Sequence, residues 1–353
     1  MSVSPFDHSL LSGLLGDDEV APFFSAEAEL EEMIRFESAL AVAESAEDVI
    51  PSDSADHIVE QLKEFPPQLD GIRQATARDG TIGVELVRQL REWLGPPYDL
   101  QVHFGSTSQD LVDTALVRRL RPILTILRGR VETAVSALDT LDASFGTRQI
   151  MARTRMQDAV AISVSAKLAT WQGPLHRDLA RLDELSPRLF VLQFGGAAGT
   201  LDKLGDKGRA VSRRLAAALD LAAPDTSWHT QRDNIVELAD WLSLVSGSLG
   251  KIGADIALMA QNRVGEIELE GRGGSSAMPH KQNPVGAEVL IALAHYNATL
   301  VSGMHTALVH EQERSGAAWT LEWLILPQMV MTTASSLRTA NTLLGQVIRI
   351  GRE

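Results

Sequence analysis

A chain of 353 residues with 46 acidic and 32 basic side chains, net charge -14, is long enough for two or three domains. That balance argues against a nucleic-acid-binding surface, and an anionic ligand would need a locally basic pocket. The absence of cysteine excludes disulfides and thiolate metal sites. Apolar residues at 44% with only 5% aromatic favour helices over sheets. Met1 to Leu15 has no basic segment followed by an apolar core, and no apolar run is expected to reach membrane-spanning length. The expected setting is the cytoplasm, with no membrane and no nucleic-acid partner.

In chain order, helical spacing runs from Phe23 to Val49 through Leu30, Met33, Ile34, Ala41 and Val42. Short helices follow at Asp53 to Lys63 and Val84 to Trp93, separated by Pro66-Pro67 and closed by Gly95-Pro96-Pro97. Residues 1–105 therefore read as a small N-terminal helical domain. Residues 106–353 read as a central long-helix bundle and oligomerisation domain. Ser106 and Thr107 can cap a helix reaching Phe145, whose stripe Leu116, Leu120, Leu124, Leu127, Val131, Val135 and Leu138 covers many turns. Further helices are expected at Gln157 to Leu185, Arg209 to Leu221, Asn234 to Ile267, Pro284 to Glu313 and Ala317 to Ile348. No run of period-two alternation stands out, so the fold class is all-α. Ile252 to Met259, Val289 to Leu300 and Leu321 to Val330 are apolar on more than one face. A single bundle would leave that surface bare, which implies an obligate oligomer.

The chemistry concentrates in Gly273-Gly274-Ser275-Ser276-Ala277-Met278-Pro279-His280-Lys281-Gln282-Asn283-Pro284. Glycines make the approach pliable, and Ser275 and Ser276 are small nucleophiles placed on it. Asn283 before Pro284 predicts an N-cap and a first helical position. Lys281 beside that helix start would attract a carboxylate. A second stretch, His103-Phe104-Gly105-Ser106-Thr107-Ser108-Gln109-Asp110, places hydroxyls and free amides at a helix start, either as an anion-binding nest or as plain capping. A third is Arg153-Thr154-Arg155-Met156-Gln157.

The first stretch resembles the G-S-S-x-M-P-x-K-x-N-P signature of the fumarase/aspartase superfamily, matched without a break. The all-α fold is then expected to be a long helical bundle of the fumarase/aspartase type. The resemblance also implies a homotetramer with each active site shared between subunits. It implies that Ser275 exchanges a proton with the carbon beside a substrate carboxylate. Lys281 would stabilise the serine alkoxide and the enediolate-like intermediate, with Asn283 and Ser276 contacting substrate. In the other two stretches it assigns Ser106, Thr107 and Ser108 to a substrate carboxylate, with Gln157 also lining the site. His103 is either a ligand contact or a packed histidine.

Where the superfamily usually has T-H-x-Q, this chain has Arg155 in place of the histidine. Arginine is a poor general acid but an able anion clamp. The exchange suits a reaction whose leaving group is already a carboxylate, as in lactone opening and its reverse. A structural surface arginine is the other reading. Glu288 falls at the position that pairs with the usual histidine, and here would meet Arg155 or be solvated.

Met33 to Ala41, Gly195-Gly196-Ala197-Ala198-Gly199-Thr200, Trp228-His229-Thr230-Gln231-Arg232-Asp233 and Glu311 to Trp319 resemble the muconate cycloisomerase branch. By that analogy Arg232 and Arg314 are carboxylate contacts, or else structural. The branch implies a lactone-forming isomerase of protocatechuate breakdown acting on a small tricarboxylate, with no cofactor and no metal. An adenylosuccinate lyase-like C–N lyase and a catalytically silent structural homologue are the alternatives. Family members usually continue into a small C-terminal helical domain beyond the fifth bundle helix, whereas this sequence stops at Glu353.

Overall fold

The computed structural model describes residues 3–271, 273–274, 276–278 and 281–352. Among them are eleven α-helices and four short strands. The N-terminal part contains α1 (Ser12–Leu15), α2 (Ala26–Ser45), α3 (Ser52–Leu62), α4 (Leu69–Asp79) and α5 (Gly83–Leu94). Helix α2 starts where the Ser25 hydroxyl accepts the Ala28 N–H. It packs along the long helix α6 (Ser108–Phe145) and against α8 (Gly208–Ala218). Helix α4 is not among the elements expected from the sequence. That helix buries only Ile72 and Ala75, so its apolar signal is weak.

Five long helices form the bundle: α6, α7 (Val164–Leu189), α9 (Asp233–Met259), α10 (Val285–Ala307) and α11 (Gly316–Gly345). The predicted stripe of α6 holds. Leu120, Leu124, Leu127, Val131, Val135 and Leu138 are all buried, and Leu116 packs at the edge. On α9, Ile235, Leu238, Leu242, Val245, Leu249, Ile252 and Ile256 recur at three- and four-residue spacing and are buried. One contiguous apolar core runs from α2 to α11. Inside it, the Asn297 amide of α10 reaches Ser246 Oγ at 3.0 Å and Thr333 Oγ1 at 2.9 Å, tying α10 to α9 and α11.

Several expected boundaries move. Residues 157–163 form a strand, not helix: β1 (Gln149–Thr154) and β2 (Gln157–Ser163) make an antiparallel hairpin turning at Arg155 and Met156. Both turn residues have positive φ, 49° and 66°. Asn-Gly usually announces such a turn, so nothing in this sequence does. Helix α9 stops at Met259, and β3 (Ile267–Leu269) pairs with β4 (Val347–Ile350), which takes residues expected in the last helix. Helix α10 ends at Ala307, leaving 308–315 as a connection. Two helices, α9 and α10, are long and apolar enough by length and composition to cross a membrane, against the expectation that no run would be. A bundle-core helix meets the same criterion, and α9 packs on α7, α10 and α11.

Candidate active site

The bundle's up-and-down course gives it two ends, and the candidate residues divide between them. At one end lie the start of α6, the Gly195–Gly199 loop, the start of α9 and the start of α11. Thr107 is the N-cap of α6, and its N–H is accepted by Asp110 Oδ2 at 3.1 Å, a T-x-x-D capping arrangement. Asp110 is fully buried and does more than cap. Its two oxygens accept the N–H groups of Gly195 and Gly196, each at 2.9 Å. His229 Nε2 lies 2.7 Å from Oδ1 and must carry the proton, since a carboxylate only accepts. His229 Nδ1 is buried without a partner. Gly196 has φ 68° and sits so near Gly105 that a Cβ would lie 2.6 Å from its carbonyl oxygen. Only glycine allows that loop to close on the α6 cap. Arg314 donates to the carbonyls of Gly196 (3.2 Å) and Ala197 (2.6 Å), fastening the loop from the α11 side.

Arg232 has no exposed surface. Its guanidinium meets Asp113 at 2.6 and 3.2 Å and Glu322 at 2.9 and 2.5 Å, and stacks 4.8 Å over the Trp228 ring. Burial opposes its charge, but Asp113 and Glu322 outweigh that and hold it above the usual arginine range. Burial pushes Glu322 up, yet His310, 3.4 Å from its Oε1, and Arg232 together hold it below the ordinary carboxylate range. Asp113 also accepts from Gln109 Nε2 (3.2 Å) and Trp319 Nε1 (3.0 Å). The geometry therefore makes Arg232 the clamp of α6, α9 and α11, with both forks occupied by carboxylates of its own chain. The sequence analogy to a substrate contact does not describe this geometry.

Below the first helix turn, His103 Nδ1 lies 2.6 Å from Glu37 Oε1 on α2, and both side chains are nearly inaccessible. Two turns along α2, Glu44 is fully buried with neither oxygen hydrogen-bonded. Burial, then repulsion from Glu37, raises its pKa from 4.5 to about 9. The folded chain therefore holds a proton that the unfolded chain releases near 4.5. The associated stability is fully present below pH 4.5 and is lost as pH rises toward 9, with a slope of up to about 1.4 kcal/mol per pH unit. Glu44→Gln is expected to flatten the fall in melting temperature between pH 5 and 9. Parallel curves for variant and wild type would refute a neutral Glu44.

At the opposite end lie Arg155, Gln157 and the signature loop. Arg155 and Gln157 are exposed on the hairpin, whereas Arg153 is held by Glu266 Oε2 at 2.7 Å and Asp158 at 2.9 Å. Gly273 and Asn283 exchange backbone hydrogen bonds at 2.9 and 2.8 Å and close the base of the loop. Asn283 is thus not the N-cap that its sequence suggests. Pro284 takes that place, and α10 begins at Val285. Among the described residues the Asn283 side chain reaches the Gly274 carbonyl, at 3.4 Å. Lys281 and Ser276 are exposed, and Glu288 faces outward in the first turn of α10. Ser275 lies outside the described residues, as do Pro279 and His280 of the motif. Among the described residues Arg155 and Glu288 form no ion pair, so within one chain the expected pairing is not made.

The structure thus gathers His103, Ser106, Thr107, Ser108, Arg232 and Arg314 at one end, and Arg155, Gln157, Ser276, Lys281, Asn283 and Glu288 at the other. Helix α9, 27 residues at 1.5 Å rise, separates the two groups by about 40 Å. Asp110, His229, Glu322 and Glu37 were given no role from the sequence. Only Asp110 had a local signal, its place three residues after the N-cap.

A family model described as Lyase matches residues 18–296. The chain belongs to this lyase family, the fumarase/aspartase superfamily. It is 40% identical over 327 residues to a 3-carboxy-cis,cis-muconate cycloisomerase of Pseudomonas aeruginosa, covering 91% of this chain and 71% of that relative. It is 36% identical over 352 residues to the enzyme of that name from Acinetobacter baylyi, covering 96% and 77%. The crystal structure of the 3-carboxy-cis,cis-muconate lactonizing enzyme from Pseudomonas putida superposes with a TM-score of 0.90 at 36% identity, covering 97% of this chain and 77% of that one.

Proposed function

We propose that this protein lactonises 3-carboxy-cis,cis-muconate to 4-carboxymuconolactone within protocatechuate breakdown. The observation that carries this reading is identity of 36–40% over at least nine-tenths of the chain to enzymes named for that reaction. In the proposed reaction a terminal carboxylate oxygen adds to the carbon bearing the 3-carboxyl group. The alkene electron pair moves to the neighbouring carbon and into its carboxylate. Ser275 then delivers the proton that quenches it and, left as an alkoxide, recovers one from solvent, so the trianionic substrate becomes a dianionic lactone with one proton taken up. Nucleophile and alkene share one molecule, so orientation and charge stabilisation supply most of the rate. Lys281 stabilises the developing enediolate. Thr107 and Ser108 hold one carboxylate at the α6 N-terminus, where unpaired amides favour an anion. Arg155 clamps another, and no leaving amine requires the acid that its position usually supplies.

The same proposal includes a homotetramer with sites shared between chains, because the two groups of candidate residues lie about 40 Å apart within one chain. It is supported by apolar side chains left exposed on the central helices, among them Leu244 and Leu258 of α9 and Leu324 of α11. The test is absorbance of the conjugated diene with purified protein and substrate. The expected result is a fall that chelator does not prevent and that Ser275→Ala slows by about 10²-fold or more. No fall with assembled wild-type protein would overturn the reading. An unchanged rate in Ser275→Ala would overturn the role of that serine.

A further inference from the structure

The chain as a whole is acidic, yet residues 203–214 hold five basic side chains (Lys203, Lys207, Arg209, Arg213 and Arg214) against one acid, Asp206. Two of the five are used structurally. Arg214 pairs with Glu47, and Lys207 donates to the Asp48 carbonyl at 2.8 Å. Arg209 and Arg213 are not so used. Neither makes a hydrogen bond or ion pair among the described residues, and both line a cavity of about 430 Å³. They stand four apart on α8, hence on one face, with Cβ atoms about 5–6 Å apart. Two like charges at that spacing repel unless an anion lies between them. The rest of the lining suits such an anion. Ser212, Thr200, Thr226 and Ser227 offer hydroxyls, with one acid, Asp225, among them. Leu201, Pro224 and the Phe194 ring supply apolar wall.

We propose that this cavity is a second anion site, taking a small molecule with two or three carboxylates on a short carbon chain. Two guanidinium forks set a few ångströms apart, with apolar wall beside them, fit separated carboxylates better than one compact oxyanion. The site is joined to the candidate active site by a single loop. Thr200 and Gly199 line the cavity, while Gly195 and Gly196 of the same loop hold Asp110. Ser227 lines it too, and presses so closely on Gly195 that a Cβ there would lie 2.5 Å from its hydroxyl oxygen. A ligand on the outer side of the loop bears on the α6 cap from behind. This inference is independent of the lactonisation reading, since its readout is binding.

The experiment is isothermal titration of the assembled wild-type protein with tricarballylate, compared with Arg209→Ala/Arg213→Ala and Arg209→Lys/Arg213→Lys. Both arginines are exposed and unpaired, so the variants are expected to keep the wild-type circular dichroism and lactonisation rate. The expected result is loss of one binding equivalent per chain, at least a tenfold weakening, in the alanine pair, with partial retention in the lysine pair. Unchanged stoichiometry and affinity in the alanine pair would overturn the site. Inorganic phosphate displacing tricarballylate from it at equal or lower concentration would overturn the polycarboxylate assignment.

Discussion

Arg232→Met is expected to destabilise the folded chain by about 3–5 kcal/mol, read as a drop in the urea midpoint. The cost comes from what is left behind. Asp113 and Glu322 are both buried and would face each other without the cation that neutralises them. Arg232→Lys is expected to recover little, because one ammonium cannot present two forks to two carboxylates. Adding Asp113→Asn and Glu322→Gln to Arg232→Met should recover much of the loss, since neutral amides can remain buried with Gln109, Trp319 and His310 nearby. A loss below about 1 kcal/mol for Arg232→Met would show that the pair does not hold these helices together. A stable Arg232→Met protein with only a raised KM would return Arg232 to the role of a substrate contact.

That residue also marks where the sequence stops being legible. Its partners lie 119 and 90 positions away, on helices whose mutual rotation no local pattern encodes. The long helices were legible because burial repeats along them: the α6 stripe from Leu120 to Leu138 is apolar for the same reason that it is buried. The β1–β2 hairpin was illegible for the opposite reason. Met156 is 76% and Val160 63% exposed in the single chain, so neither face imposes alternation, and Arg155-Met156 is no turn signature. The signature loop was legible as an ordered set of residue types, yet its local geometry was not. The Asn-Pro pair reads as a cap and first turn, but Asn283 has its backbone tied to Gly273 across the loop base, which shifts the helix start by one residue. Motif residues were thus found by type and spacing. Their supporting carboxylates, Asp110, Asp113, Glu322 and Glu37, required the fold.

Coexpressing two inactive chains is expected to restore activity to about a quarter of wild type, the chance that both contributors to a shared site are intact in a randomly mixed oligomer. One chain carries Thr107→Ala/Ser108→Ala at the start of α6, the other Ser275→Ala. The first change removes the cap side chain and costs about 1 kcal/mol, so folding of that variant is to be checked by its melting curve. Neither chain alone holds both an intact α6 nest and an intact serine. Within one chain the α6 start and the described residues of the signature loop lie at opposite ends of α9, whose length keeps them apart. In the shared-site proposal a second chain supplies its signature loop to the first chain's α6 start, and the exposed Leu244, Leu258 and Leu324 offer it apolar surface to pack on. Recovery in the mixed oligomer, and none when separately purified oligomers are combined without subunit exchange, would establish that the site is assembled between chains. A mixture that stays silent while forming stable mixed oligomers would mean that the serine and the nest serve different sites, and the catalytic assignment of one of them would fall.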